Sequence, residues 1–524
     1  TAKILGPMAQ QPRAPRVYRV VVVGAGAAGM QCARSLQSMY GLAAEEVLVL
    51  EARPQVGGRV SQSSSFAPGH LVELGAEFIH GTTTRLNGLA EKHNWELQPL
   101  FTWAHGDGGP GLELAPDGGY GLYYIGRDRQ MLRFDSQVED FKHMNHLIDL
   151  MYQTSPKDTD DDSRTMGEYL LDGKASPRMV ALADAGYSNT NAASNDTLAY
   201  SGCCKNERMW TEDDGEGDCR PAASFRVLLD ALLYASPKEG GNLNVVTGRV
   251  VRNIAWDEPD GLVKLSIGKA GGLGSPDEVI VAQCAVVTVP LPALRDSSLP
   301  SATLRFHPPL PESKQLAAKA IGVGQATKLL LRFSSPIAPV KCHGIVCADT
   351  LIPEFWFREL RSSSGAQYLI TGFAMGKYAA RLADLGEAAA IAGALDQLAE
   401  MFPGTNPRQS LVHGEMHEWS REPFIHCGYT FPLAANLVPP EVPASLSSFR
   451  AFSELAKPLP NGRVMFAGEA YVTRANMTVH AALDAGARAA EEASRFLAGS
   501  HSSSRVAAGG AGSGRDRPHP LSRL

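Results

Sequence analysis

The chain has 524 residues, of which 44% are hydrophobic and 20% are charged, and its formal net charge is −6. This length predicts two domains, or two interleaved ones, rather than a single core. The mild negative charge argues against a nucleic-acid-binding surface, and no apolar run approaches the roughly 18 residues of a membrane helix. The eight cysteines show neither metal-ligand spacing nor the density of a disulfide scaffold, so no metal site is predicted.

The first predicted elements are a strand, a glycine-rich turn and a helix. Val20–Val23 has the pattern of a buried strand, and the helix is expected from Ala27 to Met39. Between them, Gly24 permits a tight turn, Gly26 lets the backbone approach a pyrophosphate, and Gly29 lets the helix pack closely on the strand. Because a helix N-terminus offers unpaired N–H groups to a phosphate, this motif predicts a dinucleotide site.

The elements that follow indicate which dinucleotide binds. A second apolar run at 47–50 predicts a strand that ends at Glu51, whose carboxylate can accept hydrogen bonds from a ribose. A glycine pair and an arginine follow at 57–59, and another glycine-containing stretch spans 73–81. A nicotinamide enzyme does not need these additional contacts, whereas FAD extends across its domain and requires them. The pattern therefore favours FAD.

Farther along the chain, helical patterns and polar loops occupy 86–222, with acidic runs at 158–162 and 212–218. We interpret these runs as solvated loops; the alternative is an entrance that attracts cationic amines. Strands are predicted at 244–251, 263–267, 278–281, 285–289, 328–333 and 368–372, and helices at 312–320, 386–402 and 479–497. Residues 1–16 and 498–524 are predicted to be flexible tails.

Together these motifs resemble those of the flavin amine oxidase family, which includes polyamine oxidases, monoamine oxidases, L-amino-acid oxidases and flavin histone demethylases. The matching stretches lie at 51–60, 73–81, 286–292, 419–430, 466–470 and 478–482, so the resemblance covers nearly the whole chain. It implies an α/β fold with a Rossmann-like FAD-binding domain assembled from discontinuous segments (17–85, 223–300 and 428–497). An α+β substrate-binding domain would comprise 86–222 and 301–427.

The resemblance also implies roles for single residues that contact FAD. Glu469 is expected to bind the ribityl or ribose portion, and the backbone of Val250 is expected to hold the adenine. Thr478 and Val479 would lie near the isoalloxazine ring, at the positive end of a helix. The cofactor-binding residues implied in this way are Gly24, Gly26, Ala28, Gly29, Glu51, Arg53, Gly58, Arg59, Gly75, Ala76, Glu77, Val250, Trp419, Gly468, Glu469, Thr478 and Val479.

Three residues are implied to be catalytic. Lys328 matches the lysine that holds a water against the flavin N5 atom in the family. His80 matches a histidine that faces the substrate amine in animal-type polyamine oxidases, where neutral imidazole could assist deprotonation. Tyr429 would form one aromatic wall beside the amine, and Thr478 stands where the opposite wall is aromatic in monoamine oxidases. The resulting half-open cage is similar to that of animal-type polyamine oxidases.

These positions predict an FAD-dependent amine oxidase, most similar to polyamine oxidases, that uses O2 and releases an aldehyde, an amine and hydrogen peroxide. L-amino-acid oxidation would require an arginine for the carboxylate, with Arg85 or Arg59 as the options. A monoamine oxidase, or a demethylase-like flavin protein that acts on a protein partner, is a further alternative. We expect non-covalent FAD, because Gly428 occupies the position of the flavin-linked cysteine of monoamine oxidases and Cys427 lies one residue earlier.

The last three residues, Ser522 to Leu524, read Ser-Arg-Leu, which is close to the Ser-Lys-Leu tripeptide that peroxisomal import receptors bind. We therefore expect a peroxisomal location, with the cytoplasm as the alternative, and an import receptor as a partner. An oxidase that releases peroxide suits a compartment that removes it.

Overall fold

The computed structural model describes residues 16–100, 119–133, 138–154, 162–209, 215, 217–269, 278–295, 303–339, 341–362, 365–446, 449–472 and 477–506. Within these ranges the strands are β1 (Val17–Val23), β2 (Val47–Leu50), β3 (Gln62–Ala67), β4 (His70–Glu73), β5 (Ile79–His80), β6 (Leu97–Pro99), β7 (Tyr120–Ile125), β8 (Gln130–Leu132), β9 (Asp218–Pro221), β10 (Val245–Val246), β11 (Arg249–Ala255), β12 (Val263–Lys269), β13 (Glu278–Val287), β14 (Arg305–His307), β15 (Ile321–Val323), β16 (Ala326–Phe333), β17 (Cys342–Ala348), β18 (Glu354–Ser362), β19 (Gly365–Met375), β20 (Leu411–Glu418), β21 (Thr430–Pro432) and β22 (Val464–Phe466).

The helices in the same ranges are α1 (Ala27–Ser38), α2 (Arg85–His93), α3 (Glu139–Gln153), α4 (Met166–Asp172), α5 (Pro177–Ala183), α6 (Tyr200–Met209), α7 (Arg226–Leu233), α8 (Pro292–Arg295), α9 (Glu312–Ala320), α10 (Gly376–Leu385), α11 (Glu387–Met401), α12 (Pro407–Ser410), α13 (Phe449–Ala456) and α14 (Val479–Val506). No helix of the described residues is long and apolar enough to cross a membrane.

An eight-stranded sheet carries the glycine-rich turn. Its order is β10-β2-β1-β13-β12-β11-β14, and β22 pairs with the second half of β13. Strands β10, β2, β1, β13 and β22 are mutually parallel, so their carboxyl ends meet at one edge. The four valines that end β1 are buried on both faces: Val20 and Val22 pack towards α1, α7 and α14, and Val21 and Val23 towards α9 and α13. This double burial explains why the strand is a continuous apolar run.

The second large sheet has seven strands in the order β20-β16-β19-β18-β17-β7-β8. Helices α10 and α11 cover one face through buried residues such as Leu382 and Leu398. Strand β16 lies between β19 and β20, so its residues are enclosed on both sides by backbone neighbours. The first sheet and the second sheet take their strands from alternating stretches of the chain.

Several predicted boundaries differ from the structure. Strand β14 follows the boundary that we placed at 300, yet it pairs with β11 of the first sheet. The strand predicted at 244–251 divides at Gly248, whose φ of 68° interrupts an extended backbone. The two runs at 278–281 and 285–289 form the single strand β13. Helix α14 continues to Val506, beyond the predicted start of a flexible tail at 498, because a single glycine at 499 does not end a helix.

Candidate active site

A cavity of about 1020 Å³ lies at the carboxyl edge of the first sheet and reaches the second sheet. All of the predicted cofactor-binding and catalytic residues line it except Gly29. Ligand pockets commonly measure about 300–1,000 Å³, so this one is large enough for an extended cofactor together with a substrate. The sequence motifs, which are spread over more than 400 residues, therefore converge on one site.

The turn between β1 and α1 forms the first end of this cavity. Gly24 has a φ of 107°, and a Cβ there would lie 2.6 Å from Thr288 Oγ1. A Cβ on Gly29 would lie 1.9 Å from the Gly24 carbonyl oxygen, so Gly29 serves helix packing rather than direct contact with a ligand. Helix α1 has no acidic residue in its first turn. Its N–H groups and positive end are thus available to a phosphate.

Glu51 lies next to this turn at the end of β2. Its Oε2 accepts a hydrogen bond from Ala25 N at 2.8 Å, and its Oε1 accepts one from Arg53 N at 2.9 Å. Burial raises the pKa of Glu51, although these backbone hydrogen bonds work against the rise. Because each carboxylate oxygen can accept more than one hydrogen bond, Glu51 can still accept hydrogen bonds from the hydroxyl groups of a ribose.

Arg59 and Glu469 form an ion pair across the cavity wall. Arg59 Nη1 donates to Glu469 Oε1 at 2.8 Å and to the Gly428 carbonyl at 2.7 Å. Glu469 Oε2 accepts from Thr430 Oγ1 at 2.6 Å. Burial works to lower the pKa of Arg59, but Glu469 more than offsets it, and the net shift is upward. This pair joins the loop after β2 to the segment after β22.

Other predicted cofactor residues support the cavity wall through their own contacts. Arg53 Nη2 pairs with Glu422 at 3.0 Å, and Trp419 Nε1 donates to the Leu74 carbonyl at 2.8 Å. Thr478 Oγ1 accepts from Ala481 N at 3.1 Å and so caps the start of α14. The remaining predicted wall residues are Gly26, Ala28, Gly58, Gly75, Ala76, Val250, Gly468 and Val479.

Lys328 lies on β16 at the other end of the cavity, with only 3% of its surface exposed. Its Nζ donates to Glu77 Oε2 at 2.8 Å and lies 5.0 Å from the centre of the Trp356 ring. Arg220 lies 3.6 Å from the other oxygen of Glu77. Burial would raise the pKa of Glu77, but Lys328 and Arg220 more than offset this and hold the pKa below its usual value. Glu77 is thus the counter-ion of Lys328, and its contact with the cofactor stays a prediction.

His80 and Asp218 form a pair between β5 and β9. His80 Nδ1 lies 3.0 Å from Asp218 Oδ1, and the two residues face each other in the register of these strands. Burial alone would lower the pKa of His80, but Asp218 more than offsets burial, and the pKa is raised above its ordinary value. The carboxylate therefore makes His80 more basic, and the role predicted for its neutral imidazole stays a prediction.

Aromatic side chains line the same end of the cavity. Tyr429 donates its hydroxyl to the Thr190 carbonyl at 2.5 Å, which fixes its ring. Trp356 stacks on Phe373 with ring centres 4.6 Å apart, and Phe78 meets Trp356 edge-on at 4.5 Å. The cage is therefore more aromatic than the pair of Tyr429 and Thr478 suggested.

A buried carboxylate, Glu354, also lines this end. Its Oε1 accepts from Trp356 Nε1 at 2.6 Å, and its surface is 8% exposed. Burial raises the pKa of Glu354 to about 7, while the indole, the nearby Asn189 amide and His80 limit the rise. Asp218, Glu354, Trp356 and Phe373 were missed by the sequence analysis. No local motif marks them, because non-local strand pairing brings them to the cavity.

The donor set fits FAD: a helix N-terminus that can bind a phosphate, a carboxylate for a ribose, glycine turns that admit close backbone approach, and a cavity of about 1020 Å³ that extends to the second sheet. The fold and site thus define a dinucleotide-binding protein with a buried lysine at the far end of its cavity. The family model described as flavin containing amine oxidoreductase matches residues 27–494. The chain belongs to this family, and it is an FAD-dependent amine oxidase.

Similar proteins agree with this assignment. Polyamine oxidase 3 of Oryza sativa subsp. japonica is 26% identical over 498 residues, covering 90% of this chain and 88% of that protein. The peroxisomal N(1)-acetyl-spermine/spermidine oxidase of Bos taurus is 25% identical over 534 residues, covering 92% and 96%. The solved structure of cyclohexylamine oxidase from Brevibacterium oxydans IH-35A has a TM-score of 0.69 at 19% identity, covering 92% of this chain and 100% of that one.

Proposed function

We propose that the protein is a polyamine oxidase that oxidises a C–N bond of its substrate and releases hydrogen peroxide. The observation that carries this proposal is the buried Lys328–Glu77 pair beside a cavity end that holds Tyr429, Trp356 and the His80–Asp218 pair. Polyamine oxidases among the similar proteins support the substrate class. FAD, when bound, would supply the hydride acceptor for this oxidation, with O2 as the final electron acceptor.

The residues of the chain would prepare the amine for this reaction. An amine must lose its ammonium proton before its α-carbon can give up a hydride. His80, made more basic by Asp218, is suited to accept that proton. Tyr429 and the stacked pair of Trp356 and Phe373 would hold the uncharged amine against apolar ring faces. Loss of the hydride leaves an iminium ion, and water adds to its carbon. The C–N bond of this adduct then breaks, which gives an aldehyde and the departing amine.

Lys328 would assist the step in which O2 is reduced. Its ammonium is held by Glu77 and by a longer contact of 3.4 Å to the Glu73 carbonyl. A fixed positive charge favours the negative charge that develops on oxygen as it is reduced. We also propose that FAD is bound without a covalent link. Cys427 is not among the described residues that line the cavity, and burial raises the pKa of its thiol to about 11, which disfavours the nucleophilic thiolate.

The arginines considered for an L-amino-acid carboxylate have other partners. Arg85 Nε pairs with Asp484 at 2.6 Å, and Arg59 is held by Glu469. Arg220 lies near Lys328 but contacts Glu77. These contacts favour a cationic or neutral substrate over an amino acid.

We propose the peroxisome as the compartment, on the basis of similarity to the bovine peroxisomal oxidase. The segment 522–524 lies outside the described residues. A fusion with a fluorescent protein at the N-terminus should appear in puncta and become diffuse after deletion of 522–524; diffuse signal with the segment intact would contradict the proposal.

A peroxide-coupled assay tests the proposed substrate class. Purified yellow protein is mixed separately with spermine, spermidine, their N-acetylated forms, a simple monoamine, L-leucine and L-phenylalanine. Peroxide release is expected with at least one polyamine and not with the amino acids. Release from L-leucine or L-phenylalanine without a response to polyamines would contradict the proposal.

A further inference from the structure

Glu354 differs from the other carboxylates at the lysine end of the cavity. Glu77 is paired with Lys328 and Asp218 with His80. Glu354 Oε1 accepts from the indole of Trp356, and the Asn189 amide also lies near the carboxylate. Its Oε2 is buried and makes no hydrogen bond of ordinary geometry within the described part of the chain. A buried carboxylate oxygen without a partner is costly unless a ligand satisfies it.

The backbone explains where this carboxylate points. Glu354 and Trp356 are two residues apart on β18, so their side chains project from the same face of the sheet. Both side chains line the cavity; the Trp356 N–H contacts Glu354, and Lys328 Nζ lies 5.0 Å from the centre of the same ring. Lys328 and the Glu354 carboxylate thus both lie next to one indole ring.

We propose that Glu354 binds a second cationic group of the substrate, so that the site selects diamines and longer polyamines over monoamines. This inference rests on the proposed amine oxidation, and it names the residue that binds the second charged group of the substrate. One nitrogen of the substrate lies at the Lys328 side of Trp356 for oxidation. The other remains an ammonium and donates to Glu354 Oε2, which gains the partner it lacks. A monoamine leaves this oxygen unsatisfied.

Glu354→Gln tests the proposal, because the amide keeps the volume of the side chain and can still accept from the Trp356 indole. Glu359→Gln is the matched control: Glu359 lies on the same strand, projects from the opposite face, and pairs with Arg361 at 3.1 Å. Values of kcat/KM are compared for α,ω-diaminoalkanes and n-alkylamines of equal length. Dissociation constants for the same compounds are measured by calorimetry with the flavin already reduced, so that no turnover occurs.

The wild-type protein and Glu359→Gln should prefer each diamine over its matched monoamine. In Glu354→Gln this preference should fall by about 10- to 100-fold, as expected for the loss of one hydrogen bond to a charged group, because the loss for diamines should exceed any change for monoamines. Glu354→Asp, which keeps the charge, should retain part of the preference.

An unchanged preference in Glu354→Gln, or an equal loss for monoamines and diamines, would overturn the proposal; the equal loss would mark Glu354 as a counter-ion of His80 or a structural group. If the wild-type protein oxidises none of the amines, the proposed function fails. The calorimetric preference for diamines then still decides whether Glu354 binds a second cation.

Discussion

Neutralising Glu77 is expected to lower the free energy of unfolding of the protein substantially. Its carboxylate lies 2.8 Å from Lys328 Nζ and 3.6 Å from Arg220, and the Glu77 and Lys328 side chains are only 5% and 4% exposed. In Glu77→Gln the amide oxygen can still accept from the lysine, but two buried cations lose their counter-charge. Removing one partner of a buried ion pair costs about 3–5 kcal/mol, and the retained acceptor places the expected loss near the lower end of that range.

The assay is urea unfolding of the FAD-loaded protein, followed by tryptophan fluorescence. Asp484→Asn is the control, because its pair with Arg85 is at least as short, at 2.6 Å, but the Asp484 and Arg85 side chains are 54% and 39% exposed. An exposed pair of this kind contributes about 0–1 kcal/mol. The double variant Glu77→Gln/Lys328→Met removes both charges and should be less destabilised than the sum of the single variants, by about 1–3 kcal/mol. Two results would refute the buried ion pair as a source of stability. One is a loss of unfolding free energy in Glu77→Gln no larger than that in the control; the other is a loss in the double variant equal to the sum of the losses in the two single variants.

Three further predictions concern pH and cofactor binding. Asp218→Asn should lower the pKa of His80, leaving Glu354 as its other acidic neighbour, and shift the acid limb of kcat/KM to lower pH; an unmoved limb would contradict a proton-accepting His80. Burial raises the pKa of Glu73 to about 7, so stability should fall as pH rises from about 4.5 to 7. Glu73→Gln should make this fall smaller in urea titrations at several pH values, with Glu354, whose pKa is also about 7, accounting for part of the remainder; an unchanged fall would contradict the role of Glu73. Gly29→Ala should release FAD, seen as loss of the flavin spectrum at normal yield, because its Cβ would lie 1.9 Å from a backbone oxygen; full flavin content would contradict this packing role.

The nucleotide-binding half of the site could be predicted because its signal is local. A buried strand, a glycine turn, a helix and a terminal acid follow one another within 17–51, and the structure arranges them in that order. The positions of Lys328 and Tyr429 came from resemblance to a family rather than from pattern. The structure adds that Lys328 lies on an interior strand, where a lysine requires the buried partner that Glu77 provides.

The substrate end could not be predicted in the same way. His80 and Asp218 are 138 residues apart and meet only because β5 pairs with β9. Asp218 ends an acidic run that resembles a solvated loop in the sequence, and nothing nearby signals its partner. Glu354 and Trp356 lie two residues apart on β18 and alternate with residues of the opposite face, as in any strand. Their role depends on which face of that strand meets the cavity, and tertiary packing decides this.

Anaerobic mixing of the yellow protein with a polyamine tests the central claim most directly, since it observes electron transfer from the amine to the flavin. The visible flavin absorption should disappear on addition of spermine, spermidine or an N-acetylated form, and should return with hydrogen peroxide when O2 is admitted. Lys328→Met should bind FAD and slow this return. Flavin that stays oxidised with every polyamine, while L-leucine, L-phenylalanine or a methylated lysine peptide reduces it, would contradict the assignment as a polyamine oxidase.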